Sequence, residues 1–149
     1  MDLLGDEYFM RQAINEAKLA YDSDEVPVGA VIVSNGRIVA KSHNLTETLN
    51  DVTAHAEMQA ITSAANALGG KYLRECTLYV TLEPCIMCAG ACNWSQLGRI
   101  VYGAADPNRG FKRYQPGALH VKTELKGGVL EKECLDLLQR FFEEKREEK

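Results

Sequence analysis

Glu83-Pro84-Cys85-Ile86-Met87-Cys88 is the stretch on which the fold of this chain turns. It follows an apolar, β-prone run from Thr77 to Leu82 and opens a run, Ala89 to Trp94, with helical character. Pro84 suits the first turn of a helix, where its missing N–H costs nothing. Cys85 and Cys88 then stand at i and i+3, which puts both sulfurs on one face at the helix start. The partial positive charge of a helix N-terminus favours thiolate over thiol. Two thiolates aimed the same way suit a soft, tetrahedral cation, and zinc fits best.

Two sulfurs do not complete a zinc site, and the missing donor is a His or another Cys. The chain has three histidines: His43, His55 and His120. His55 lies in Thr53-Ala54-His55-Ala56-Glu57, at the head of an amphipathic run. One His with two Cys gives three protein ligands and leaves a fourth position open to water, which is the catalytic pattern. Glu57, two residues on, does not share the helix face of His55. It reads as a proton carrier for the water at the metal rather than as a ligand. The competing reading is a closed zinc site that braces the fold, with Cys92 or His43 as fourth ligand. That reading leaves Glu57 without a task.

The chain has 149 residues, 46% of them hydrophobic and 26% charged, which is one ordinary globular domain spanning 1–149. No apolar run approaches the ~20 residues of a membrane span. The first seven residues, Met1 to Glu7, lack the basic and apolar regions of a signal peptide, so a cytoplasmic location is expected. Five cysteines with one Cys-x-x-Cys favour metal binding over disulfides. Cys76, Cys92 and Cys134 read as small buried hydrophobes. A net charge of −4 excludes a generic nucleic-acid coat but not a local basic footprint.

Outward from the cysteines, the periodicity predicts a helix over Asp6 to Tyr21, with Phe9, Ala13, Ala17 and Ala20 on one stripe and Ile14 and Tyr21 beside it. Gly29 to Val33 and Arg37 to Lys41 read as strands joined at Asn35-Gly36, a strong hairpin signal. His43 to Thr53 is polar and aperiodic, a loop leading into the His55 helix. Asn44 stands in it, with either a turn-forming role or a donor and acceptor for a base edge. Thr53 is expected to cap the next helix, with Met58, Ile61 and Ala65 inward and Gly69-Gly70 ending it. Thr77 to Thr81 is a strand apolar enough to be central, and Arg99 to Gly103, after a stop at Gly98, is a fourth. Strands alternating with helices imply parallel pairing with crossover helices. Between Arg109 and Lys126 stand five basic residues and one acidic, with Phe111 and Tyr114 among them. That composition suits either a single-stranded nucleic-acid surface or a solvated loop. Glu131 to Lys145 reads as the last helix, with Cys134, Leu137, Leu138, Phe141 and Phe142 inward.

His-x-Glu followed by Pro-Cys-x-x-Cys is the signature of the zinc nucleobase deaminases. With Val26-Pro27-Val28-Gly29-Ala30, Ala54-His55-Ala56-Glu57 and Leu82 to Ala91, the chain resembles the bacterial tRNA adenosine deaminases from about Tyr8 to Phe142. The resemblance implies a cytidine deaminase-like fold, a three-layer α/β/α sandwich on a mixed five-stranded sheet. It implies one zinc ion per subunit on His55, Cys85 and Cys88, and Glu57 as the catalytic acid and base. It implies that Asn44 bonds the target base and Asp106 meets the ribose beside it, with Val28 and Ala56 in the pocket wall. The substrate it implies is the wobble adenosine of a tRNA anticodon stem-loop, converted to inosine, and the assembly a homodimer in which Trp94 could take part. One departure stands out: after Gly110 the chain reads Phe-Lys-Arg-Tyr-Gln-Pro, where that family carries a longer loop. Free guanine or cytosine is the alternative substrate, since small-molecule deaminases share the signature. A zinc-braced RNA-binding protein without turnover is the second alternative.

Overall fold

The computed structural model describes residues 5–148, so Met1 to Leu4 of the stretch read for signal-peptide features lie outside the described residues. Five helices and five strands follow in the order α1 (Asp6–Asp22), β1 (Gly29–Ser34), β2 (Arg37–His43), α2 (Ala56–Leu68), β3 (Cys76–Leu82), α3 (Ile86–Ser95), β4 (Arg99–Ala104), α4 (Phe111–Tyr114), β5 (Glu124–Lys126) and α5 (Glu131–Glu147). The strands form one sheet in the order β2-β1-β3-β4-β5. β1 runs antiparallel to both β2 and β3, whereas β3, β4 and β5 are parallel. Asn35 and Gly36 turn the hairpin with φ of 52° and 74°, as a two-residue loop between twisted strands requires.

Alternate residues of the central strands feed two cores. Ala30, Ile32, Leu78, Val80 and Ile100 face α2 and α3, meeting Ala56, Ala60, Ala64 and Cys92. Val31, Val33, Tyr79 and Val101 face α1 and α5, meeting Phe9, Met10, Ala13, Ile14 and Cys134. With both faces covered, β1 and β3 read as nearly continuous apolar runs. Gly29 is required where α1 crosses β1, because a Cβ there would overlap the Ala13 carbonyl and the Ala17 amide.

Several expectations change in detail. The inward face of α2 is Ala56, Ala60 and Ala64, with Met58, Ile61 and Ala65 only half-buried. Alanines let the helix lie close to the sheet. Thr53 does not cap α2: its hydroxyl bonds Asp51, and His55 occupies the N-cap position. Pro84 likewise precedes the N-cap, which is Cys85. α3 ends at Ser95 with Gln96 in the left-handed region at φ 55°, before Gly98. Gly98 serves a close approach instead, since a Cβ would strike the Arg74 carbonyl. β5 and the short α4 lie within the stretch read as irregular. Three exposed residues offer β5 no alternation to detect. Phe111 is core, not surface, and Phe142 is 44% exposed rather than inward.

Asp6 ties the layers together at the edge away from the hairpin. One carboxylate oxygen accepts from Arg99 Nη1 at 2.7 Å and the Tyr79 hydroxyl at 2.8 Å. The other accepts from Arg99 Nη2 at 2.8 Å and Lys126 Nζ at 2.9 Å. A helix start is thereby joined to β3, β4 and β5. The hydrogen bonds from Arg99 hold the Asp6 carboxyl well below the usual carboxylate range. A carboxyl depressed by folding contributes stability that is present above its unfolded pKa of about 4 and lost as pH falls towards the folded value. Asp6→Asn is therefore expected to lower unfolding stability by about 2 kcal/mol at pH 7. The gap to the wild-type chain narrows below about pH 4, as urea denaturation at pH 7 and pH 3 would show.

Candidate metal centre and active site

Two helix starts meet beside the C-terminal end of β3. His55 is the N-cap of α2 and Cys85 the N-cap of α3, with Cys88 one turn into α3. His55 Nδ1 lies 3.7 Å from Cys85 Sγ and 3.5 Å from Cys88 Sγ. Zinc bonds of ~2.0 Å to nitrogen and ~2.3 Å to sulfur at tetrahedral angles call for N···S separations of about 3.5 Å. The three donors thus already stand where that ion would hold them.

Among the described residues these three form the one such donor cluster. Cys92 lies a turn deeper, 1% exposed, and burial keeps its thiol protonated. His43 Nδ1 is 3.1 Å from Glu16 Oε1. Neither expected candidate for a fourth ligand joins, so the arrangement is the open kind rather than the closed brace. The Cys85 thiol is pulled down to about 4, first by the hydrogen bond with Cys88 and then by His55, which favours its thiolate form.

Glu57 lies on the first turn of α2, 4% exposed and outside the donor triangle. Burial, reinforced by the charge of Cys85, pushes its carboxyl up to about 7. A carboxyl balanced near neutrality can both take and return a proton.

His55, Cys85 and Glu57 line a cavity of about 810 Å³, with Cys88 buried behind them. Val26 and Val28 come from the approach to β1, and Asn44, Thr46 and Val52 from the loop after β2. Leu82, Glu83, Ile86 and Met87 flank the cysteines, and Asp106, Arg109 and Tyr114 close the far side. All four expected contact residues, Asn44, Val28, Ala56 and Asp106, line it. Asn44 makes the bonds of its turn-forming reading and also lines the cavity. Its Oδ1 accepts from the Thr46 amide at 3.3 Å and its Nδ2 donates to the Val26 carbonyl at 3.4 Å, yet it is in the wall. Val28 also packs against the core. Asp106 Oδ1 accepts from the amides of Asn108 and Arg109 at 3.1 and 3.0 Å.

Sequence reasoning did not single out Val26, Thr46 or Glu83. Glu83 is 6% exposed and accepts from the amides of Asp106 and Lys112, both at 3.1 Å, so it fastens the Asp106 loop to the cysteine motif. The basic stretch divides. Arg109 and Tyr114 reach the cavity, Lys112 sits over the Tyr102 ring, and Lys126 pairs with Asp6.

A mixed sheet between helices, with a His-Cys-Cys triangle beside a buried Glu, defines a zinc-binding deaminase. The chain belongs to that family, matching the cytidine and deoxycytidylate deaminase zinc-binding region over residues 4–104. Within it the chain is a member of the tRNA-specific adenosine deaminases. It is 48% identical over 149 residues to the tRNA-specific adenosine deaminase of Bacillus subtilis strain 168, covering 97% of this chain and 92% of that protein. A structure from a study of A-to-I editing by tRNA:A34 deaminases at the wobble position of transfer RNA superimposes with a TM-score of 0.83 at 45% identity, covering 88% of this chain and 99% of that one. Guanine deaminase from Bacillus subtilis is similar over less of each chain, 68% and 66%, at 39% identity and a TM-score of 0.66.

Cys88→Ala is expected to abolish stoichiometric zinc in the purified protein, whereas Cys92→Ala keeps it and loses only stability. Elemental analysis of the two variants separates an open three-ligand site from one that enlists Cys92.

Proposed function

We propose that this chain hydrolytically deaminates adenosine to inosine at the wobble position of a tRNA anticodon. The observation that carries the reading is the His55-Cys85-Cys88 triangle beside buried Glu57, in a cavity whose far side is basic and aromatic. The near full-length similarity to tRNA-specific adenosine deaminases supports that substrate.

One zinc ion per subunit, held by His55, Cys85 and Cys88, would supply a water acidified enough to attack at neutral pH. The residues of the chain do the rest. Glu57 takes one proton of the attacking water and passes it to the ring nitrogen beside C6; it then takes the remaining proton of the hydroxyl now on C6 and delivers it to the exocyclic amine, so that the C6 carbonyl forms as the C6–N bond breaks and ammonia leaves. Both transfers need the same carboxyl to reach water and base edge, and its place on the first turn of α2 supports that. Asn44 presents amide groups to the base edge. Val28 and Ala56 form apolar walls that keep bulk water off the reacting carbon. Asp106, on the far side of the cavity, offers a carboxylate to a ribose hydroxyl. Arg109 and Tyr114, both exposed, offer a cation and a stacking ring to nucleotides flanking a flipped base.

The proposed assembly is a homodimer formed through the outer face of α3, where Trp94 is 84% and Ile86 52% exposed. Among the described residues no helix is long and apolar enough to cross a membrane. The proposed location is the cytoplasm, which a tRNA substrate supports.

Incubation with an anticodon stem-loop carrying wobble adenosine is expected to yield inosine and ammonia, with free guanine, cytosine and adenosine untouched. Turnover of guanine with inert RNA would instead establish the small-molecule reading. Glu57→Gln should keep its zinc and lose activity by about 10²–10⁴-fold, and an unchanged rate would remove Glu57 from the mechanism. A protein that holds zinc and binds the stem-loop but releases no ammonia would be a binder and not an enzyme. For the assembly, Trp94→Arg is expected to shift the chain from dimer to monomer in light scattering.

A further inference from the structure

Glu25 is a carboxylate that the chemistry above does not use, and it is wholly buried. Burying an ionised group is costly unless all its lone pairs are satisfied. Here they are. Oε1 accepts from the Glu47 amide at 3.0 Å and the Thr46 hydroxyl at 3.4 Å. Oε2 accepts from the Thr48 amide and the Thr48 hydroxyl, each at 2.6 Å. All four donors belong to one three-residue stretch of the loop after β2. Among the described residues no cation pairs with Glu25.

The arrangement continues into the pocket wall. Beyond Glu25 the chain runs through Val26 to Val28, and the loop is stitched to it by Asn44 N to the Val28 carbonyl at 3.0 Å and Asn44 Nδ2 to the Val26 carbonyl. Asn44 and Thr46 face the cavity from this loop, which ends at His55. The loop has no helix or strand of its own between His43 and Ala56, so its path is set by what it is bonded to. An apolar side chain would fill the same space without the desolvation cost, but it would fix no direction.

We propose that Glu25 is a positioning residue: its carboxylate sets the path of residues 46–48 and so places Asn44 and Thr46 against the substrate base. Glu25 touches neither the substrate cavity nor the metal donors. This rests on the cavity being the substrate site, as under the proposed function. In Glu25→Gln the shape is kept, but an amide NH₂ would face two donors. Zinc content should stay at the wild-type level and kcat should change by less than about threefold, while KM rises about tenfold, the effect of one misplaced polar contact. Thr48→Val removes a single hydroxyl donor and is expected to raise KM about threefold, which keeps the test open should Glu25→Gln fold poorly. KM is measured on the wobble-adenosine stem-loop, or on guanine if that is what the wild-type chain deaminates. Amide hydrogen exchange gives an arm that needs no substrate: the Glu47 and Thr48 amides should lose protection in Glu25→Gln while α2 retains its own. An unchanged KM in folded, zinc-loaded Glu25→Gln, or unchanged protection of those amides, overturns the proposal. A lowered melting temperature with KM unchanged would make Glu25 merely structural. Failure of the wild-type chain on both substrates counts against the proposed function and leaves the exchange arm to decide.

Discussion

Two helix N-termini converge on one point at the C-terminal ends of the parallel strands, and the rest of the molecule serves that convergence. His55 opens α2 and Cys85 opens α3, so the backbone of each helix start sets where its donor stands. Both helices lie on the same face of the sheet, held close by Ala56, Ala60 and Ala64 on one side and Cys92 on the other. Larger side chains in that layer would push the helices apart and open the triangle. The small-residue character of α2 is thus a requirement of the site as much as of the core.

A second constraint follows from the first. Rigid helix starts supply the donors, but a substrate also needs walls, and the walls are loops. Two buried carboxylates discipline them. Glu83 holds the amides of Asp106 and Lys112, and Glu25 holds those of Glu47 and Thr48. Each offers acceptors to main-chain donors that would otherwise be satisfied by water. Glu57, the third buried carboxylate, accepts no such loop, and its burial instead raises its proton affinity. Residues of one type therefore do two kinds of work, separated by whether amides or a cavity surround them.

Between Arg109 and Lys126 the chain shows how composition can mislead. Five cations and two aromatics close together suggest one surface, but the fold distributes them. Phe111 goes to the core, Lys126 to Asp6 and Lys112 to the Tyr102 ring, and Arg109 and Tyr114 line the cavity. α4 begins against the cysteine motif, where Phe111 N donates to the Pro84 carbonyl.

The sequence by itself determined the alternation of strands and helices, the Asn35-Gly36 hairpin, the central place of β3, and the identity of the donors and of Glu57. These depend on period, turn chemistry and residue type, which are local properties. It misplaced the caps at Thr53 and Pro84 by one or two residues, because a cap is defined by which amides remain free once the helix has packed. It missed β5, whose three exposed residues owe their conformation to pairing with β4. Only the tertiary structure decided that Cys92 and His43 stay away from the donor triangle, that Glu25 and Glu83 are fully bonded anchors, and which of the clustered cations reach the cavity. The Glu25 and Glu83 anchors join residues 21 to 29 apart in sequence, so their energy depends on distances that exist only after the sheet has brought the segments together.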